Sequence, residues 1–404
     1  MDRLRVVICP YPGVVVPPAE GRSAGVGARI REIRTWRGKS LSVVAGLAGM
    51  SPSHLSIAAA LEVAPNELLA TPFPPRDDLT AAARAAAGLV EPVIADIRLG
   101  DPVEVAPRPW PLIAADLTHL NADLRPRADY AAQSAMLPGL IEELHAVVGG
   151  GAEHRTDALC GLAICYHAAA MLAGNMGNRA MAQLAADRQL TVAERLGRPE
   201  WVAHAEWVRA QMIGGVSRQR QAASVLRSLR AVADEPLTPE LIQAVGQLHL
   251  SAALAYAARG DQESAWTHFR EAEGLAERQT DEVGDFGCMW FGRTNVRIWK
   301  VALGTEFGYG GKIAELARGV RPEIVPSPVR HAAFYADVGR SLAHDKRSRE
   351  QAVHLLRKAE GLARQHVRNM PLVREAVSDL LRRARHDAVG RELRGLAHRM
   401  GMAG

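Results

Sequence analysis

Aromatic residues are scarce in this chain of 404 residues, of which only 5% are Phe, Trp or Tyr. Runs rich in Val, Ile and Thr, which favour β-strands, are nearly absent beyond residue 20. Alanine, leucine, arginine and glutamate dominate instead, and all four favour helix. The composition therefore predicts an all-α protein, with 48% hydrophobic residues available for its core.

Cysteines and long apolar runs are also few. The chain has four cysteines, and no two of them form a C-x-x-C pair, so we expect neither a disulfide framework nor a cysteine metal site. No run of eighteen apolar residues occurs, and the short apolar segment near the N-terminus is interrupted by prolines. These absences argue against a membrane span or a secretory signal and predict a cytoplasmic protein.

Sequence signatures of catalysis are missing as well. There is no G-x-S-x-G and no H-E-x-x-H motif. The segment 308–312 superficially resembles a phosphate loop, but Glu306 stands at the first glycine position and Ile313 replaces the magnesium-binding Ser or Thr. We therefore expect no enzymatic activity, no cofactor and no bound metal. An enzyme with an unrecognised site is the least favoured alternative.

The formal charge of +5 is concentrated at one end of the chain. Residues 1–56 carry all of it, and the remaining residues are formally neutral. A basic N-terminal segment followed by a formally neutral remainder is typical of a protein in which one domain contacts nucleic-acid phosphates and the rest of the chain does not. A solvated basic surface is the alternative that charge alone leaves open.

Prolines at positions 72, 74 and 75 stop helix formation and mark a domain boundary. We predict a flexible arm at 1–25, a small helical domain at 26–71, a Pro-rich linker at 72–77 and a long helical domain at 78–404. The small domain opens with an amphipathic helix at 26–37, whose apolar residues recur at helical spacing.

The segment 40–56 has the pattern of two short helices joined by a tight turn. In a frame that begins at residue 41, Ala45 is fifth, Gly49 ninth and Leu55 fifteenth, which are the small, turn and apolar positions of a DNA-binding helix-turn-helix. Ser51, followed by a proline, is a strong start signal for the second helix. An ordinary helical hairpin with a glycine turn is the alternative.

The long domain has the rhythm of stacked helical hairpins, with helix-sized segments separated by short connections such as Arg125-Pro126. Tyr256, Ala265, Phe269 and Ala272 sit at the offsets of a tetratricopeptide repeat. The pentapeptide Ala-Glu-Gly-Leu-Ala occurs at 272–276 and again at 359–363, with a fainter copy at 193–196. These patterns predict a tetratricopeptide-like α-solenoid; coincidence in an alanine-rich helical chain is the alternative.

The inner surface of such an array is the expected site for a peptide or small molecule. The segment 285–299 is the richest in aromatic and hydrogen-bonding groups, and an asparagine amide offers both a donor and an acceptor to a peptide. The predicted ligand-binding residues are Trp290, Arg293, Asn295, Trp299, Trp207 and His249. Burial of the tryptophans in the core is the alternative.

Together these motifs resemble a class of high-GC bacterial regulators, in which a Cro/repressor-type (XRE) helix-turn-helix precedes a tetratricopeptide-like domain. The resemblance covers about residues 26–402 and is most specific at 49–56, 72–75, 291–296 and 371–381. It implies a transcriptional regulator that binds operator DNA and senses an effector. By resemblance, Lys39, Ser40 and Ser42 meet phosphates, and Ser51, Ser53 and His54 face base edges. Because helix-turn-helix proteins gain affinity by pairing half-sites, we expect a homodimer.

The chain departs from this family after Ser56. There the family continues the recognition helix through an Arg-Ile-Glu-like segment, a turn and a further helix, whereas here Ser56 is followed directly by Ile57-Ala-Ala-Ala-Leu61. The later part of the recognition helix and most of the next helix are thus absent, so the helix-turn-helix is truncated. In addition, Arg293 stands where the family usually has proline. The alternative function is a repeat-domain adaptor that has lost DNA binding.

Overall fold

The structure is a computed structural model, which describes residues 78–151, 153–214, 217–383 and 390–402. The chain divides into two units, residues 1–73 and 74–404, and every described residue belongs to the second. The predicted arm and helix-turn-helix domain lie outside the described residues. The same holds for all the predicted DNA contacts: Lys39, Ser40, Ser42, Ser51, Ser53 and His54.

The described residues form helices and no strand, so the all-α class is confirmed. In chain order the helices are α1 (Asp78–Ala87), α2 (Glu91–Asp96), α3 (Trp110–His119), α4 (Arg125–Arg127), α5 (Tyr130–Gly150), α6 (Arg155–Asn175), α7 (Arg179–Leu196), α8 (Pro199–Gly214), α9 (Arg218–Ala231), α10 (Pro239–Ala257), α11 (Gln262–Glu277), α12 (Arg293–Glu306), α13 (Ile313–Ala317), α14 (Pro328–Leu342), α15 (Arg349–Leu362), α16 (Arg364–Val367), α17 (Pro371–Arg383) and α18 (Gly390–Arg399).

Side-chain caps set the start of many of these helices. In each of five cases, a polar side chain just before the helix accepts a hydrogen bond from the backbone N–H three residues later. These capping residues are Asp129, Asn178, Ser217, Thr238 and Asp261. Each cap marks the residue at which a connection ends and the next helix begins. The local sequence therefore sets where these helices start along the chain.

Consecutive helices pack on one another along the chain, as the predicted helical array requires. The most extensively packed pairs are α6 with α7, α10 with α11, and α14 with α15, and smaller pairs alternate with them. The related segments 193–196, 272–276 and 359–363 fall at the ends of α7, α11 and α15, the second helix of each large pair. The internal repetition therefore reflects a repeated helix pair; the tetratricopeptide identity of that pair stays a prediction.

Small residues allow the paired helices to approach closely. Ala193, Ala272 and Ala359 are completely buried, as their place in the repeated segment predicts. Between α14 and α15, a Cβ added to Gly339 would lie 3.0 Å from the Cγ atom of Leu356. A larger side chain at any of these positions would push the two helices apart.

The predicted connection at Arg125-Pro126 is wrong. From α3 the backbone continues through a single π-helical segment, Leu120–Leu124, into α4, and the helix ends only at Ala128, whose φ is 52°. Pro126 lies inside this continuous helix, two residues after the π-helical segment ends, and because proline has no N–H it removes one helical hydrogen bond there. This continuation places Arg125 on the inner side of the array.

The two ends of the described array meet. The hydroxyl of Tyr130, at the start of α5, lies 2.9 Å from Nδ1 of His366 in α16, a residue 236 positions later. Beside it, the Gln365 side chain accepts a hydrogen bond from the N–H of Ala131 and donates one to Asp129, both at 3.1 Å. These polar contacts close the inner surface into a central cavity.

One helix among the described residues, α6, is long and apolar enough to span a membrane by composition alone. Its apolar window is 72% buried inside the array, so α6 serves as a core helix. It packs against α5, α7 and α8.

Candidate ligand-binding cavity

A cavity of about 240 Å³ lies on the inner side of the array. Its wall is formed by residues of α4, α5, α6, α8, α10, α12, α14 and α16 and of the loop before α12. Examples, one from each of α6, α8, α10, α12 and α14, are His167, Trp207, Gln247, Trp299 and Arg330. Because so many separate elements converge here, the cavity is a product of the whole array.

The structure places the predicted ligand-binding residues in different surroundings. Trp207, Trp290 and Trp299 all line the cavity. Asn295 is completely buried behind the wall: its Nδ2 donates to the carbonyl of Met289 at 3.4 Å, and its Oδ1 accepts from Arg330.

The other two predicted residues lie elsewhere. The Arg293 guanidinium turns away from the cavity, donating to Glu282 and to the carbonyl of Gln279, each at 3.0 Å. Nδ1 of His249 lies 3.0 Å from Nδ1 of His268 on α11, and His249 does not reach the cavity wall. The structure therefore brings the three tryptophans together and leaves Arg293 and His249 outside their cluster.

Two guanidiniums that the sequence did not single out face the cavity. Arg125 donates from Nη1 to Oδ1 of Asn121 at 2.7 Å and from Nη2 to Nδ1 of His167 at 2.6 Å. Arg330 donates from Nε and Nη2 to Oδ1 of Asn295 at 3.2 and 2.8 Å. Within the part of the chain that the structure describes, no carboxylate lies within 4.0 Å of either group.

The histidines beside Arg125 are neutral. Because a guanidinium only donates, Nδ1 of His167 must accept from Arg125. Nε2 of His204 lies 3.1 Å from the same Nδ1, and Nδ1 of His204 lies 3.3 Å from Nε2 of Gln189. These contacts link Arg125 through His167 and His204 to Gln189. Arg125 is the only charged member of this chain of side chains.

Burial and the charges of the two arginines both act on the histidines of the cavity. Burial, and to a smaller extent the charge of Arg125, lower the pKa of His204 to about 3. Burial likewise lowers the pKa of His366 to about 4, with the charge of Arg330 acting in the same direction. The Arg330 guanidinium itself has its pKa lowered by burial to about 10, so it remains charged at neutral pH.

Three polar atoms of the cavity wall have no hydrogen-bond partner among the described residues. They are Nε1 of Trp207, Nε1 of Trp299 and Oε1 of Gln247. The three side chains are only 8%, 9% and 2% exposed, so their bulk lies in the interior. Leaving a buried donor unsatisfied costs about 1–3 kcal/mol, and such groups in native proteins call for an explanation. A bound ligand would provide one.

The loop that carries Trp290 has an unusual backbone. Cys288 and Trp290 have φ values of 57° and 54°, a region that bulky residues rarely adopt and that concentrates at functional sites. The carbonyl of Met289, between them, accepts a hydrogen bond from Nε2 of Gln247 at 2.7 Å. The next residue, Phe291, packs its ring directly on Gly246 of α10, where no Cβ could be accommodated. These contacts hold Trp290 against the cavity.

Sequence reasoning missed Arg125, Arg330, Tyr130 and His366, all of which line the cavity. Arg125 was assigned to a connection, and the other three carried no local motif. Only the convergence of α4, α5, α14 and α16 brings them together, so no signal within a single segment could have identified them.

Comparisons of the chain with protein families, with curated proteins and with solved structures found no match. No group of three or more His, Cys, Asp or Glu side chains in the described ranges is arranged to hold a metal ion. The chemistry that the cavity offers is therefore read from its own residues: two guanidiniums, two indole N–H groups and an aromatic wall.

Proposed function

We propose that this protein is a cytoplasmic, non-enzymatic transcriptional regulator whose helical array senses a small ligand in the central cavity. The observation that carries the sensing role is the pair of guanidiniums that face one cavity without a carboxylate partner among the described residues. The DNA-binding role rests on the basic charge of residues 1–56 and on the helix-turn-helix spacing at 40–56.

Ligand binding in this cavity would favour one conformation of the helical array over another. Arg125 lies near the start of the described array, and Arg330 lies in α14, close to the closing contact between Tyr130 and His366. A ligand held by both arginines would stabilise the closed arrangement over any more open one, by its difference in affinity for the two. In a homodimer, such a shift would change the spacing of the two DNA-binding heads.

A gel-shift assay with the full-length protein and DNA from its own promoter region tests the DNA-binding role. We expect sequence-specific binding whose affinity falls steeply as salt is raised, because phosphate contacts release counterions. Lys39→Gln should weaken binding, while Lys312→Gln, at a lysine of the helical array, should leave it unchanged. If a folded, dimeric protein gives no shift at low salt, the regulator proposal fails.

That negative result would favour the second candidate, an adaptor that binds a ligand or protein through its helical array alone. The observation behind this candidate is the missing continuation of the recognition helix after Ser56. Losing that segment removes apolar positions that would hold the helix-turn-helix rigid. The two candidates share the cavity and differ only in whether residues 26–71 bind DNA.

A further inference from the structure

We propose that the central cavity binds a small organic anion, a carboxylate or a phosphate monoester on an apolar body, held between the guanidiniums of Arg125 and Arg330. This inference rests on the ligand-sensing half of the proposed function and names the chemical class of the ligand.

Uncompensated charge is the first argument. Arg125 and Arg330 are partly buried, and withdrawing a guanidinium from water is costly unless an anion pairs with it. The acceptors that meet Arg125 are an amide oxygen and a neutral imidazole, and the acceptor that meets Arg330 is an amide oxygen. The acid whose charge acts on Arg330, Asp337, is itself paired with Arg340 at 2.7 Å. Among the described residues the two cations therefore lack a counterion, and a ligand anion would form charge-assisted hydrogen bonds with them.

The unpartnered donors of the wall are the second argument. An anionic group presents several acceptor lone pairs, each of which needs a donor. The indole N–H groups of Trp207 and Trp299, two residues of the same wall, have no partner among the described residues, and both side chains are at least nine-tenths buried. The Arg330 guanidinium lies over the Trp299 ring, 5.2 Å from its centroid, which fixes the direction of its remaining N–H groups.

The size and the lining of the cavity determine which kind of molecule can carry the anionic group. Beside the polar groups, the wall presents the aromatic and aliphatic surfaces of Trp290, Met171, Met289 and Val329. At about 240 Å³ the cavity is below the usual range of roughly 300–1,000 Å³ for ligand pockets. A compact molecule with a flat apolar body fits these dimensions, and a long peptide does not.

Calorimetric titration of the full-length protein with matched probes tests the inference. The probes are benzoate, phenyl phosphate and benzamide, the last being an uncharged analogue of benzoate. We expect saturable binding of benzoate or phenyl phosphate, with a rise in melting temperature, and no binding of benzamide. A preference between the two anions would identify the carboxylate or the phosphate as the natural group. Equal binding of benzamide, or no binding of either anion, would overturn the inference.

Matched arginine variants locate the binding. Arg330→Gln and Arg125→Gln should each raise the dissociation constant of the bound anion at least about tenfold, since each removes charged hydrogen bonds. Arg293→Gln is the control, because the Arg293 guanidinium, at the start of α12, donates to Glu282 and does not line the cavity. An equal effect of the control and the two cavity variants would contradict the assignment.

A further variant keeps the test decisive if Arg330→Gln does not fold. Trp299→Phe keeps an aromatic ring and removes the indole N–H, which has no protein partner among the described residues, together with part of the ring surface. It should fold with somewhat lower stability than the wild type and weaken anion binding by about threefold or more. Unchanged anion binding in a folded Trp299→Phe variant would show that the indole N–H does not contact the anion.

The outcomes separate the two proposals. Binding of the anion without DNA binding leaves this inference intact and sinks the regulator. DNA binding without anion binding supports the regulator and overturns this inference.

Discussion

Oδ1 of Asn295 accepts hydrogen bonds from both Nε and Nη2 of Arg330, at 3.2 and 2.8 Å. Nδ2 of the same amide donates to the carbonyl of Met289. Asn295 therefore joins α12 to α14 and to the loop that carries Trp290. Both polar atoms of this amide are already hydrogen-bonded within the protein. Asn295 would therefore affect a ligand indirectly, by positioning Arg330.

Replacing Asn295 should therefore affect stability. We expect Asn295→Ala to lower the free energy of unfolding by about 2–4 kcal/mol, because it leaves the buried guanidinium of Arg330 without its acceptor. Urea unfolding measures the change. Asn295→Asp is the matched variant: it keeps an acceptor oxygen and supplies a carboxylate to Arg330, so it should retain the fold and lose benzoate binding. An unaltered melting temperature in Asn295→Ala would show that the amide does not hold the guanidinium.

Two glycines in neighbouring helices should respond in opposite ways to alanine. In Gly246→Ala the new methyl group meets the Phe291 ring, so the loop before α12 must move, at a cost of about 1–3 kcal/mol. In Gly274→Ala, on α11, the methyl group enters open space, and helix propensity should raise stability by about 0.5–1 kcal/mol. Thermal unfolding of the two variants checks both signs. Similar stabilities would mean that the loop adapts without cost.

Acid should destabilise the protein through the buried histidines. His204 has a pKa of about 3 when folded, whereas an unfolded histidine has about 6.5. Below pH 6.5 the unfolded chain binds a proton that the folded chain does not, so stability is lost as the pH falls from about 6.5 toward 3. The groups around this ring, Arg125, His167 and Gln189, include a cation and no acid.

Removing the histidine should remove its share of this dependence. We expect His204→Gln to flatten the fall in unfolding free energy between about pH 7 and 5 by up to about 1.4 kcal/mol per pH unit. Urea unfolding of both proteins at several pH values gives the slopes. Identical slopes in the wild type and the variant would show that His204 does not contribute.

The ion pairs at the C-terminal end differ sharply in burial. The Glu360 carboxylate is 4% exposed and accepts from Arg368 at 2.6 Å and from Arg399 at 3.1 Å. Glu360→Gln should cost about 2–4 kcal/mol, because it removes the charge from a buried carboxylate that holds two guanidiniums. In the control, Glu392→Gln, the carboxylate is 60% exposed, so the loss of its pair with Arg357 should matter far less. Equal losses would contradict the role of burial.

Much of the fold could be predicted from local sequence. Capping residues such as Asp129 and Asp261 mark helix starts wherever they occur, and the segments at 272–276 and 359–363 predicted a repeated helix pair. Trp290 and Trp299, chosen for a ligand site, do line the cavity. Their binding role stays a prediction, as does the DNA-binding role of residues 26–71, which lie outside the described residues.

Other features could not be predicted, and the site shows why. The sequence by itself determined the all-α class and the pairing of neighbouring helices, since each depends on side chains within a few tens of residues. Only the tertiary structure decided that Arg125 and Arg330 face one cavity and that Tyr130 meets His366 across 236 positions. Such contacts depend on the crossing angles of all the intervening helix pairs, which add up along the array and are set by packing rather than by any local motif.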